Sequence, residues 1–246
     1  MDGVAPLVNF IVIGVQKAGT TALYDYLADD PAIGLSRVKE VHFFDDESVD
    51  WSAPDYAPYH AQFSSDGPVI RGEATPIYLY WPRSLERIAA YNPQVRLIVM
   101  LRDPVGRAWS HWRMEYSRGV ETHPFSWCIR QGRQRLLKCE PWGVHREFSY
   151  VERGFYGEQI ARLFELFPRE QVLILRADDL RADPGGSLAR VGDFLSLPRR
   201  GPVEHRDVHV GQEVGEDLAP EDVAFLREIY ARDMARLKRL TGVTFW

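Results

Sequence analysis

The stretch FIVIGVQKAGTTALYDYL, Phe10 to Leu27, decides the fold. It passes from an apolar, β-branched run through a turn with two glycines, Gly14 and Gly19, into a helical pattern. A buried strand that breaks at Gly14 and re-forms as a helix near Thr20 aims several backbone N–H groups at one point. Such a turn binds anions. Gly14 and Gly19 have the spacing of the nucleotide triphosphatase loop G-x-x-x-x-G-K-[ST], yet Thr20 occupies the lysine position, and the lysine stands inside the turn at Lys17. Two readings stay open on these residues alone. In one, the N–H groups, the hydroxyls of Thr20 and Thr21, and Lys17 meet charged oxygens. In the other, the glycines shape an ordinary connection and Thr20 caps the helix.

Working outward, NFIVIGV from Asn9, PVIRGEA from Pro68, VRLIVMLR from Val95 and QVLILRA from Gln171 share the composition of buried strands. Apolar residues at three- and four-residue spacing predict helices over Thr21–Ala28, Arg83–Tyr91, Val105–Arg118, Pro124–Leu137, Gly157–Phe167, Gly186–Leu195 and Pro220–Leu240. The alternation predicts an α/β fold: a P-loop-like central parallel β-sheet with helices on both faces and ligands at the carboxyl ends of the strands. The 246 residues, 45% apolar, suit a single domain over 1–246. Ser48 to Ser65 has neither period and reads as an ordered surface excursion anchored by aromatics, and Arg199 to Gly215 as a second irregular stretch.

A net charge of −5 argues against a general nucleic-acid binder. With no basic, apolar leader and no run long enough to span a bilayer, a cytoplasmic protein without a transmembrane segment is expected. Cys128 and Cys139 have neither CxxC spacing nor a nearby His pair, so no disulfide framework and no metal site are expected.

Three further motifs carry chemistry. In VMLRDPVGRAWSHW, Val99 to Trp112, Arg102 sits at the carboxyl end of a predicted strand and Ser110 two helical turns on. The guanidinium fork suits a second phosphate; equally, Arg102 pairs with a carboxylate and Asp103 caps the helix. In KEVHFFDD, Lys39 to Asp46, alternation in an extended segment puts Glu40, His42 and Phe44 on one face, a base with an orienting imidazole or an incidental pair on a solvated edge. EATPIYLYWP from Glu73 offers Thr75 and Tyr78 to an acceptor cleft, or is a turn with core aromatics.

In combination, GVQKAGTT, KEVHFFD, EATPIY, RLIVMLRDPVGRAWSHW, GFYGEQIARLFELFP and RLTGVTFW resemble the sulfotransferases that use 3′-phosphoadenosine 5′-phosphosulfate (PAPS), nearest the heparan-sulfate-type (3-O- and N-sulfotransferase-like) branch and its bacterial relatives. The resemblance runs from about Phe10 to Trp246. It implies that Gln16, Lys17, Ala18, Gly19, Thr20 and Thr21 cradle the 5′-phosphosulfate, with Lys17 on the leaving-group side. Arg102 and Ser110 match the pair that holds the 3′-phosphate, and Tyr156 an aromatic near the nucleotide. Glu40 falls on the catalytic base, and His42 and Asp45 on acceptor-side positions.

Implied with these are a small-molecule or glycan acceptor and the product 3′-phosphoadenosine 5′-phosphate (PAP). Related members carry a lysine where this chain has Ala74, a Lys-Gly-Arg loop that has no counterpart in residues 205 to 220, and a disulfide absent here. Arg199, Arg200 or Arg206 stand as replacements for that loop. The displaced lysine fits sulfuryl transfer, in which an ammonium and backbone donors stabilise the leaving oxygen without Mg²⁺. A P-loop kinase or NTPase, and a nucleotide-binding module without catalysis, are the alternatives.

Overall fold

The computed structural model describes residues 7–64, 70–198, 206 and 217–246. It divides into two compact units, Met1–Leu101 with Leu163–Val208, and Arg102–Arg162 with His209–Trp246.

The first unit holds five strands: β1 (Phe10–Gly14), β2 (Ile33–Leu35), β3 (Ile70–Ala74), β4 (Arg96–Leu101) and β5 (Val172–Arg176). They form one sheet in the order β2-β3-β1-β4-β5, and every pairing is parallel. Phe10 to Ile13 and Leu97 to Leu101 are each at most 1% exposed. Because successive strand residues point to opposite faces, unbroken burial means that the sheet is covered on both faces, as a parallel sheet requires. The covering comes from the crossover helices α1 (Thr20–Ala28), α2 (Ala57–His60) and α3 (Ser84–Tyr91), and from α7 (Ala177–Ala182) and α8 (Pro184–Leu195) after β5. The expected α/β architecture is therefore present, with four strands where the apolar runs placed them. β2 was not expected: three residues, IGL, are too few to show a period.

The excursion from Ser48 is ordered, and its aromatics are its anchor. Phe43, Phe44, Trp51, Tyr56, Tyr59, Phe63 and Tyr91 form a continuous cluster with ring centroids 4.9 to 6.2 Å apart. Offset and edge contacts at these spacings are the favoured arrangements of aromatic pairs.

The second unit is built on α4 (Pro104–Ser117), α5 (Phe125–Cys128), α6 (Tyr156–Leu166) and α9 (Pro220–Thr241). The single helix expected over Pro124–Leu137 is instead α5 followed by a 3-10 segment, Gln131–Lys138. The break falls at Arg130, with φ −111° and ψ −92°. Its guanidinium reaches back to the Ser126 carbonyl at 3.0 Å and across to Asp222 on α9 at 2.5 Å, so tertiary pairing overrides the local period. Asp233 of α9 caps another helix: its carboxylate accepts from the N–H groups of Gly157 and Glu158 at 2.7 and 2.9 Å, in the first turn of α6.

Among the described residues no helix is long and apolar enough to cross a membrane. Asp233→Ala is expected to leave those two donors unpaired and to destabilise the fold by about 1–3 kcal/mol, read from the midpoint of urea unfolding against wild type; an unchanged midpoint would refute the cap.

Candidate active site

The turn that follows β1 is shaped by backbone. Lys17 and Gly19 both lie in the left-handed region, φ 70° and 81°, so the chain doubles back on itself before α1 starts at Thr20. Val15 N–H donates to the Met100 carbonyl at 2.8 Å and Ala18 N–H to Val15 at 3.2 Å, which moors the turn to β4. Gly19 is the N-cap of α1 and supplies no side-chain bond, and the first turn of α1 contains no acidic residue. The leading N–H groups of α1 thus have no side-chain cap and no acidic residue in their own turn, which suits an anion at a helix N-terminus. Thr20 is buried, Gln16, Lys17 and Thr21 are half-buried, Ala18 is fully buried and Gly19 is exposed. Thr20 does not act as the cap; it lies inside the helix.

The turn carrying Glu40, His42 and Asp45 departs from its expected extended form. Glu40 and His42 have φ of 61° and 57°, so the chain coils left-handed twice within three residues. Glu40 and His42 still meet, on the partly exposed side, whereas Phe44 turns inward to the aromatic cluster and is fully buried. Glu40 N–H donates to the carbonyl of Ala74 at 3.0 Å. That carbonyl ends β3, whose Ala74 is in register with Val12 of β1. The two turns therefore lie at the carboxyl ends of adjacent strands, one following β1 and the other bonded to β3.

The side chains alternate in charge. Lys39 donates to Glu40, His42 Nε2 lies 3.6 Å from Glu40 Oε2, and His42 Nδ1 lies 2.9 Å from Oδ2 of the fully buried Asp45. Burial pushes the Glu40 carboxyl up, but the His42 hydrogen bond and the Lys39 ammonium outweigh it and hold the group at about 2. The hydrogen bonds to Asp45 and Glu40 raise His42 to about 9 against the effect of its burial, so the imidazole is cationic at neutral pH.

Thr75 and Tyr78, expected at an acceptor cleft, have no exposed surface. Thr75 Oγ1 donates to Glu73 at 2.5 Å, and the Tyr78 oxygen accepts from the N–H of Phe43 at 3.0 Å. Glu73 also receives Tyr59 Oη at 3.0 Å and is fully buried; burial raises it to about 7 against these hydrogen bonds. The sequence gives little notice of this carboxyl, because its partners lie 14 residues upstream and 2 downstream.

In the second unit, Asp103 caps α4 by accepting from Gly106 N–H at 2.7 Å, as its position before Pro104 suggested. The Arg102 guanidinium lies across the first turn of α4, 3.7 Å from where a side chain on Gly106 would begin. Gly106 and Ser110 are one turn apart on the same face of α4, and Ser110 is half-buried. Tyr156 is fully buried and donates to the Arg102 carbonyl at 3.0 Å, so it holds the backbone of Arg102.

Of the three arginines proposed to replace the missing loop, Arg199 and Arg200 lie outside the described residues. Arg206 pairs with Asp29, and its N–H donates to Tyr26 Oη at 3.0 Å. Cys128 and Cys139 are both free thiols. Among the described residues no cluster of His, Cys, Asp or Glu stands ready to hold a metal ion.

The His42 ion pairs carry a pH signature. A base raised on folding stabilises fully below its unfolded value near 6.5 and loses that contribution as pH rises through about 9. Glu40 works the other way: its contribution is complete above 4.5 and is lost as pH falls through about 2. The gap in melting temperature between wild type and His42→Gln is expected to close as pH rises from about 6.5 to about 9; a gap that stays constant over that window would contradict a cationic His42.

Residues 8–213 match the model of the sulfotransferase domain. The chain is 33% identical over 204 residues to human (Homo sapiens) heparan sulfate glucosamine 3-O-sulfotransferase 3A1, covering 80% of this chain and 46% of that protein. It is likewise 33% identical over 204 residues to the human 3-O-sulfotransferase 3B1, covering 80% and 48%. It spans about half the length of these curated relatives. The crystal structure of a sulfotransferase from Alicyclobacillus acidocaldarius superposes with a TM-score of 0.83 at 24% identity, over 98% of each chain, and shares the fold. With the family match running through most of the sequence, including the phosphate-type turn and the Glu40 turn, the chain belongs to the sulfotransferase domain family.

Proposed function

We propose that the chain moves a sulfuryl group from PAPS to a hydroxyl or amine of a glycan, a lipid-linked sugar or a natural-product acceptor, by in-line transfer with release of PAP. This places it among the PAPS-dependent sulfotransferases (EC 2.8.2), with residues 1–246 acting as one sulfotransferase domain. A family match running from 8 to 213, and so through both units, supports that reading.

The observation that carries the proposal is the Glu40–His42–Asp45 turn bound to the carboxyl end of β3, beside the strand that feeds a helix N-terminus with no side-chain cap and no acidic residue in its first turn. The residues fit the donor. Gln16 to Thr21 offer N–H groups and hydroxyls, with Lys17 in the turn, for the 5′-phosphosulfate. Arg102, backed by Tyr156 and followed by Ser110, offers a guanidinium and a hydroxyl for the 3′-phosphate. When bound, PAPS supplies a sulfuryl group already activated on a phosphate leaving group.

Glu40 takes the proton of the acceptor. A carboxylate held near 2 is ionised at any physiological pH but is a weak base. It accepts a proton only once the acceptor oxygen has begun to bond to sulfur and become acidic, so transfer of the proton comes late. His42 stays cationic throughout, steering the Glu40 carboxylate and offering its edge to the acceptor. Asp45, fully buried, keeps His42 charged and in place and makes no acceptor contact of its own. The acceptor side is neutral overall, Lys39 and His42 balancing Glu40 and Asp45, and carries Ala74 in place of a lysine. An acceptor of low negative charge suits it best.

Two variants separate the roles. Arg102→Ala is expected to weaken PAP binding roughly 50-fold or more, the size of a lost charge-assisted pair, by isothermal titration. Glu40→Gln is expected to bind PAP within about twofold of wild type while transfer of labelled sulfate to an acceptor from a cell extract falls by about 100-fold or more. Equal loss of binding in both variants would overturn the division of labour, and a wild-type chain that labels no acceptor would overturn the activity.

A further inference from the structure

A turn with two left-handed non-glycine residues does not persist unless its surroundings over-determine it. The contacts that hold Glu40 to Asp45 are few and identifiable. Glu40 N–H is bound by the Ala74 carbonyl, as described, and the Phe44 carbonyl accepts from Ser84 Oγ at 3.1 Å and from Arg87 Nη1 at 2.9 Å. Between His42 and Asp45 stand only Phe43 and Phe44, and the N–H groups of both donate to one atom, the phenolic oxygen of Tyr78, at 3.0 and 3.4 Å. The chain that spaces the imidazole from its carboxylate therefore closes around that oxygen.

With both of its lone pairs committed to the turn, the Tyr78 hydroxyl has only its hydrogen left to give. Glu73, buried like it, takes hydrogen bonds from Tyr59 and Thr75. Both Tyr78 and Glu73 are fully buried, so neither touches an acceptor.

We propose that Tyr78 is a positioning residue for the transfer reaction: its hydroxyl oxygen, by accepting from the N–H groups of Phe43 and Phe44, fixes the His42–Asp45 spacing and through His42 the direction of the Glu40 carboxylate. Because Tyr78 bears on turnover only if Glu40 is the base, its catalytic consequence rests on the function proposed above; its effect on His42 does not. The charged groups that face His42 are Lys39, Glu40 and Asp45, with Glu73 behind Asp45.

Tyr78→Phe tests this, since the ring and its edge contact with Phe44 at 5.6 Å are kept and only the oxygen is lost. Titration of the His42 ring by NMR, which needs neither donor nor acceptor, is expected to show its pKa falling from about 9 toward 6.5 as the Asp45 contact loosens. In the same variant kcat is expected to drop by roughly 10- to 100-fold, the loss that goes with small misplacement of a reacting group, while PAP binding stays within about twofold. A variant with lower melting temperature but unaltered His42 titration and kcat would show a merely structural role and overturn the proposal. Should Tyr78→Phe not fold in plain buffer, the same measurements are taken in a stabilising osmolyte such as sucrose, and an unmoved His42 titration there is equally fatal. A wild-type chain without transfer activity removes the function but leaves the titration to decide the positioning.

Discussion

One hydrogen bond, from the N–H of Glu40 to the carbonyl of Ala74, joins the chemistry of this chain to its scaffold. Ala74 closes β3, and its neighbour across the ladder is Val12 of β1, two residues before that strand ends. Neighbouring strands lie about 5 Å apart, so the acidic turn and the glycine turn are set at the carboxyl ends of adjacent strands by the ladder of a sheet buried on both faces. Displacing one relative to the other means unpairing the sheet. Precision there is thus inherited from backbone pairing rather than from the loops themselves.

The acidic turn also shows how a protein keeps three carboxyls close together. Glu40 is balanced by Lys39 and His42 at the surface, and Asp45 by the other nitrogen of His42. Glu73 is fully buried; the hydroxyls of Tyr59 and Thr75 satisfy it, and the charge of Asp45 adds to the burial that raises it. Charge is allowed where solvent or a cation can meet it, and is discouraged where neither can. His42 links the two levels, since each of its nitrogens faces a different carboxylate.

Much of this was legible in the sequence wherever the signal is local. The β1 run, the glycine turn, the β4 run and the Asp103-Pro104 start of α4 all declare themselves within a few residues, because strand burial, helix period and capping are short-range. In KEVHFFDD, alternation predicts an extended segment, whereas the chain coils left-handed at Glu40 and His42, and nothing in their spelling announces positive φ. Thr75 and Tyr78 were assigned to a cleft because hydroxyls after a strand look accessible, and their burial depends on Tyr59 and Phe43, which only the fold brings near. Likewise, Arg130 breaks a helix for the sake of Asp222, 92 residues away. What stayed hidden is whatever depends on a partner distant along the chain.

The Tyr78 contact with Phe43 spans 35 residues, and the pairing of Glu40 with Ala74 is of similar reach. During synthesis Glu40 and His42 emerge well before the strand and the phenol that bend them. Until β3 has paired with β1, the segment has no reason to adopt its left-handed coils, and the loop-closure entropy of that span must be met first. Assembly of the Glu40–Asp45 turn therefore follows the pairing of β3 with β1. The glycine turn waits as well, since Val15 N–H is moored to Met100, later in the chain than Ala74.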